Sequence, residues 1–189
     1  MFIVSSCFIA DFTIGDNINR NLETLKLFYT LGAEDSSKWP LLRKPIIVIL
    51  VSIAEALLYD FISRIQSKEN VATLPPETVT ALREKDFSKL ANLIDGAKKF
   101  DLFKANDDFY KQLDELRKLR NRVHIQNERE HFQRKEVFAF TGARQREAET
   151  ALEYIAKFLA AEHPRWPTTH GFVADLNLPW GEHWDFGYA

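Results

Sequence analysis

The stretch from Ile46 to Ile65 constrains this chain more than any other, because it is apolar almost all the way round a helix. Pro45 suits the first turn of a helix, and the pattern after it predicts one running to about Ile65. At 100° per residue, Ile46, Ile49, Leu50, Ile53, Leu57 and Phe61 share one face, while Val48, Val51, Leu58 and Ile62 place apolar groups around much of the rest. A helix with so little polar surface has to be enclosed, by other helices or by a partner subunit. Glu55 interrupts the run and Arg43-Lys44 precede it. Its uninterrupted part, Ile46 to Ala54, falls far short of the roughly 20 residues that cross a bilayer. The expectation is a central core helix in a soluble protein that does not enter a membrane.

Other segments supply partners for that helix. Asn17 to Leu31 carries a weaker helical pattern through Ile18, Leu22, Leu25, Phe28 and Tyr29, followed by a loop from Gly32 to Pro40 in which Trp39 reads as a packing anchor. Pro75-Pro76 breaks the chain, and Glu77 to Leu82 and Phe87 to Phe100 read as short helices. Asn106 or Asp107 can cap a longer helix expected to end near Ile125 to Glu128. The alternation from Glu128 to Gly142 fits a loop or a short hairpin packed by Val137, Phe138 and Phe140. Helical patterning returns from Arg144 to Ala160, with Ala148, Ala151, Leu152, Ile155, Phe158 and Leu159 inward, and Pro164 stops it. The fold class is all-α, with four or five main helices. Residues 1–162 form a single helical domain with its core in 44–160. Phe2 to Phe12 is a short strand or an irregular extended arm, and 163–189 is an aromatic-rich tail packed on the body or on a partner.

Chemistry is bounded by what the chain holds. With 189 residues and 46% hydrophobic content it can bury one substantial core. A formal charge of -2 excludes a broadly basic nucleic-acid coat, so any RNA contact must be a local patch. The lone Cys7 supports neither an internal disulfide nor a cysteine-rich zinc site, and the default location is the reducing cytoplasm. Met1 to Ala10 lacks a basic leader and runs into Asp11, so it does not read as a signal peptide. In the tail, Trp166, Trp180, Trp184, Phe186 and Tyr188 are too dense to hang free. His170 and His183 lack ligand neighbours in metal spacing, although Glu182 and Asp185 flank the second. A Gly-rich phosphate loop, a GxSxG elbow and an HExxH helix are all missing from the sequence. No metal and no cofactor are expected.

The site-like feature is LRKLRNRVHIQ, Leu116 to Gln126. On a helix, Arg117, Arg120, Asn121 and His124 fall three, four or seven positions apart and make one polar stripe. Phe109, Leu113, Leu116, Leu119 and Val123 make the buried face, with Arg120 and His124 at its edge. Arginine offers a planar fork of donors to phosphate oxygens, and histidine exchanges a proton near neutral pH. Such a pair suits a phosphodiester without requiring a metal. A plainer account also fits: Asp107, Asp108, Asp114 and Glu115 precede Arg117, Lys118, Arg120 and Arg122, the charge order that a helix dipole favours. Glu55, among apolar groups beside Ser52 and Tyr59, needs a partner: an arginine of the stripe is the natural candidate, and a local hydroxyl or solvent is the alternative.

This motif resembles the HEPN family of helical domains, found in toxin-antitoxin, phage-defence and CRISPR-associated proteins. Many of its members are metal-independent endoribonucleases with an arginine, four to six residues, then histidine. Arg117, the six residues KLRNRV and His124 meet the long form of that rule. Lys118 departs from the polar residue, often asparagine or histidine, that usually follows the motif arginine. Asn121 follows Arg120 instead, so either arginine can be the functional equivalent. The helix IVILVSIAEALLYDFI, Ile47 to Ile62, is similar to the family's first core helix, and Glu55 matches an acidic position common there. The resemblance covers Lys44 to Ala160. It implies an RNA-cleaving homodimer with two motifs facing a shared cleft, and a separate antitoxin or regulatory protein as a further partner. The alternative it leaves open is a noncatalytic RNA-binding or protein-interaction module on the same scaffold.

Overall fold

The computed structural model describes residues 1–67, 74–84, 87, 89–123, 136–165 and 173–182, with the backbone alone at Val123, Glu136 and Val137. The chain begins with a strand, β1 (Phe2–Val4), and continues through α1 (Phe12–Glu34), a 3-10 turn at Ser36–Lys38 and α2 (Trp39–Gln66). Then come α3 (Pro76–Arg83), α4 (Leu90–Lys99) and α5 (Asp107–Arg120), the last continued by a 3-10 turn at Asn121–Val123. A single helical turn, α6 (Glu136–Ala139), precedes α7 (Gly142–Glu162), and a strand, β2 (Leu176–Leu178), follows. The protein is predominantly helical, as the periodicity requires.

α2 is the axis of the bundle. It packs against α1, α3, α4, α5 and α7, which accounts for apolar residues on nearly every side of it. By length and composition the stretch Ser36–Gln66 would also suit a bilayer, but 61% of its most apolar window is buried inside the protein. That apolarity serves the core. The helix starts six residues earlier than Pro45, contrary to the sequence expectation. Pro40 occupies the first turn, where a missing N–H costs nothing, and Pro45 lies inside. The carbonyl that Pro45 leaves without its helical donor is that of Leu41, an exposed residue beside solvent.

Two other boundaries differ from expectation. The segment Gly32 to Pro40 is not a loop, because α1 runs on through Gly32 and the 3-10 turn leads directly into α2. Asp11 caps α1 by accepting the Ile14 N–H at 3.0 Å, so this helix starts five residues before the pattern at Asn17. Phe138 sits on the turn α6 and is largely exposed, whereas Phe140 is buried; the rest of the expected loop or hairpin, from Glu128, lies outside the described residues.

The N-terminal arm meets the segment that follows α7. β1 and β2 pair antiparallel, Phe2 opposite Leu178 and Val4 opposite Leu176, so the N-terminal arm is in part a strand and the tail contributes its partner. Ser6 donates its N–H to Asp175 Oδ1 at 2.9 Å and its hydroxyl to the Val173 carbonyl at 2.6 Å. Two buried charges on α2 lock the arm from the inside. Asp60 accepts the backbone N–H groups of Ala10 and Asp11, the latter at 2.8 Å. Arg64, one turn on, donates to the carbonyls of Phe8 at 3.1 Å and His163 at 2.8 Å. One helical turn thereby ties the arm to the end of α7.

Candidate functional site

α5 is built as its sequence specifies. The Asn106 side chain accepts the N–H groups of Asp108 and Phe109, both at 3.1 Å, and Asp107 and Asp108 occupy the positive first turn. Phe109, Leu113, Leu116 and Leu119 are buried in a line toward the core. That line fixes the rotation of the helix and so the position of its basic residues.

Regular α-helix ends at Arg120, earlier than the expected Ile125 to Glu128, and Asn121–Val123 is wound more tightly. In a 3-10 turn, residues three apart eclipse each other. Arg122, in this turn and three residues after the buried Leu119, is itself buried, at 8% exposure, although nothing in the charge pattern singled it out. His124, the proton-exchanging member of the expected stripe, lies outside the described residues.

Arg120 crosses to the central helix and forms an ion pair with Glu55 through Nη2 and Oε2. Its Nη1 donates to Asn121 Oδ1 at 3.2 Å. The side chains of Arg120 and Glu55 keep about a quarter of their surface accessible, 28% and 26%. The guanidinium is therefore oriented by a carboxylate from a second helix yet still borders solvent. Arg117, one turn back, is engaged differently: Nε and Nη2 both reach Asp114 Oδ1, at 2.8 and 2.7 Å. Lys118 completes this local cluster, 2.9 Å from Asp114 and 2.8 Å from Glu115. Burial pushes the Asp114 carboxyl up, but hydrogen bonds from Lys118 and Arg117 outweigh it and hold the group below its ordinary value.

Of the expected site residues, Glu55, Arg120 and Asn121 come together, with Arg117 adjacent but tied within its own helix. A partly exposed, carboxylate-braced guanidinium can take a phosphate oxygen on its remaining N–H groups. Among the described residues no group of three or more His, Cys, Asp or Glu is placed to hold a metal. The pairs Asp60–Arg64 and Glu149–Gln145 were not anticipated. Their sequence signal was a charged or polar residue every fourth position on an otherwise apolar helix face.

No family model, no curated protein and no solved structure matches the chain.

Proposed function

We propose that the protein is a HEPN-like endoribonuclease that cleaves RNA by transesterification, with the site centred on Arg120, Asn121, His124 and Glu55. The observation that carries this reading is the Glu55–Arg120 ion pair, because a guanidinium held by a neighbouring helix at a solvent-facing edge is preorganised for an anion. In the reaction, His124 takes the proton of the 2′-hydroxyl and the 2′-oxygen bonds to the adjacent phosphorus. The bond from phosphorus to the 5′-oxygen breaks, and that oxygen leaves protonated. Arg120 neutralises the charge that builds on the phosphoryl oxygens, and Arg117 extends the cationic edge. Asn121 orients the arginine, to which it is hydrogen-bonded. A second copy of the chain, facing the first across a shared cleft, supplies the second proton-transfer group.

A noncatalytic RNA-binding or protein-interaction role is favoured by one specific observation. Arg117 and Lys118 are satisfied by Asp114 and Glu115 within α5, so much of the basic charge has a structural use. The two readings separate in one experiment. Purified protein and its His124→Ala variant are incubated with mixed cellular RNA in the presence of a chelator, and product ends are resolved. The proposal expects cleavage by the wild type alone, leaving a 2′,3′-cyclic phosphate. Equal cleavage by both proteins removes His124 from the mechanism. Absence of cleavage by a folded, dimeric wild type selects the noncatalytic role.

A further inference from the structure

A cavity of about 770 Å³ opens at the other end of the central helix, between α1, the start of α2, the start of α7 and the segment after β2. Arg43 on its wall and Glu55 are twelve residues apart on α2, about 18 Å along the axis at the α-helical rise. The cavity is thus a separate place from the Arg120 site.

Its walls combine three kinds of group. Tyr29, Trp39 and Trp180 supply aromatic surface, with the Tyr29 ring 5.8 Å from Trp39 and 6.2 Å from Trp180 between centroids. Gln145 and Glu149, both buried, make a polar patch. Glu149 accepts the Tyr29 hydroxyl, and Gln145 Nε2 donates to the Glu149 carboxylate at 2.8 Å. Burial, reinforced by Glu149, raises the pKa of the Tyr29 hydroxyl and keeps it protonated. The third kind of group is cationic.

Lys26, Arg43 and Arg146 line the cavity from three different helices. Lys26 has Glu23 at 3.9 Å, whereas Arg43 and Arg146 have neither an ion pair nor a hydrogen bond among the described residues. The lining carboxylates offset them only in part. Glu149 is engaged by two neutral donors, Tyr29 and Gln145, which do not cancel a carboxylate's charge, while Glu182 is paired with Lys157. Two arginines from two helices therefore face one aromatic-walled space without an ion pair of their own among the described residues, and the lining cations outnumber the carboxylates. α7 begins at Gly142 on the same wall, and the field of its first turn has the same sign. Like charges gathered at a concave, partly apolar surface favour an anion, and the aromatic walls favour a planar ring attached to it. The space is open to solvent on one side, and its volume is ample for a nucleotide-sized molecule.

We propose that this cavity binds a small ring-bearing anion of about the size of a nucleoside monophosphate, stacked on the aromatic walls with its anionic group on Arg43 and Arg146. This proposal does not depend on the RNA-cleaving reading. The four nucleoside monophosphates form one arm of the test and an aromatic carboxylate, indole-3-acetate, the other. Each is titrated into the full chain, followed by tryptophan fluorescence and calorimetry. Nucleosides without phosphate and inorganic phosphate alone are the controls.

Saturable binding in either arm, at least about tenfold tighter than either control, is expected, and the arm that binds names the anionic group. The Arg43→Gln/Arg146→Gln double variant should weaken binding by tenfold or more with an unchanged melting temperature, since neither side chain is buried and neither has an ion pair among the described residues. The His124→Ala variant should bind as the wild type does. Failure of both arms overturns the proposal, as does inorganic phosphate binding as tightly as the ring-bearing anions. Affinity lost in His124→Ala but kept in the arginine double variant also overturns it, because the ligand would then sit at the Arg120 site.

Discussion

His163 shows how much one side chain owes to its surroundings. Its ring lies 4.7 Å from Phe61 and 5.7 Å from Phe158 between centroids, at the end of α7. Burial, and then the Arg64 guanidinium, push its pKa down from 6.5 to about 4. Between those two values the unfolded chain binds a proton that the folded chain refuses, so stability falls as pH drops from about 6.5 to about 4. Above that interval His163 is neutral in both states and contributes no slope. The loss over the full interval is at most about 3 kcal/mol. Asp60 opposes it at the acidic end, because burial raises its carboxyl despite the N–H groups of Ala10 and Asp11 and the charge of Arg64. Melting temperatures of the wild type and of His163→Gln, taken at about pH 7 and about pH 4.5, check this. The wild type should lose more on acidification than the variant; parallel losses would mean that His163 is protonated in the folded protein.

At the scale of elements, α1 and α2 are set against each other by one missing side chain. A Cβ placed on Gly32 would come within 2.6 Å of Trp39 Cε2, so the Trp39 indole packs against α1 where a side chain is missing. In the middle of a helix Gly→Ala ordinarily stabilises, by up to about 1 kcal/mol. Here the substitution should destabilise by about 1–2 kcal/mol net and shift the tryptophan emission, because Trp39 has to move. Urea denaturation gives the sign, and a stabilised Gly32→Ala would show the contact to be loose. This packing explains a misread boundary. Gly32 looked like the end of a helix, since glycine is common there, yet it lies inside α1 for reasons that reside on another helix. The misplaced start of α2 has a similar origin. Both Pro40 and Pro45 suit a first turn locally, and the residue that begins the helix is Trp39, held by contacts with α1.

At the scale of the whole molecule, the bundle is closed by pairing its most distant segments. β1 and β2 are each three residues long, and a pair that short has little stability of its own. It is held by Leu176 and Leu178, both fully buried, and by Trp180, whose Nε1 donates to the buried Glu153 carboxylate at 3.3 Å. The closing segment should therefore melt with the helices. Leu178→Ala is expected to lower stability by about 2–4 kcal/mol in a single denaturant transition. Two transitions would show that the strand pair unfolds separately. Periodicity by itself determined that the protein is helical, that Ile46 to Ile65 is its centre and which face of α5 is buried, because each of these depends on neighbours within a few turns. Tertiary structure alone decided that Arg120 and not Arg117 meets Glu55, that Arg122 turns inward, that Trp180 helps wall a cavity beside Arg43 and Arg146, and that β1 pairs with β2. Those outcomes depend on groups far apart in sequence, whose spacing no local pattern encodes.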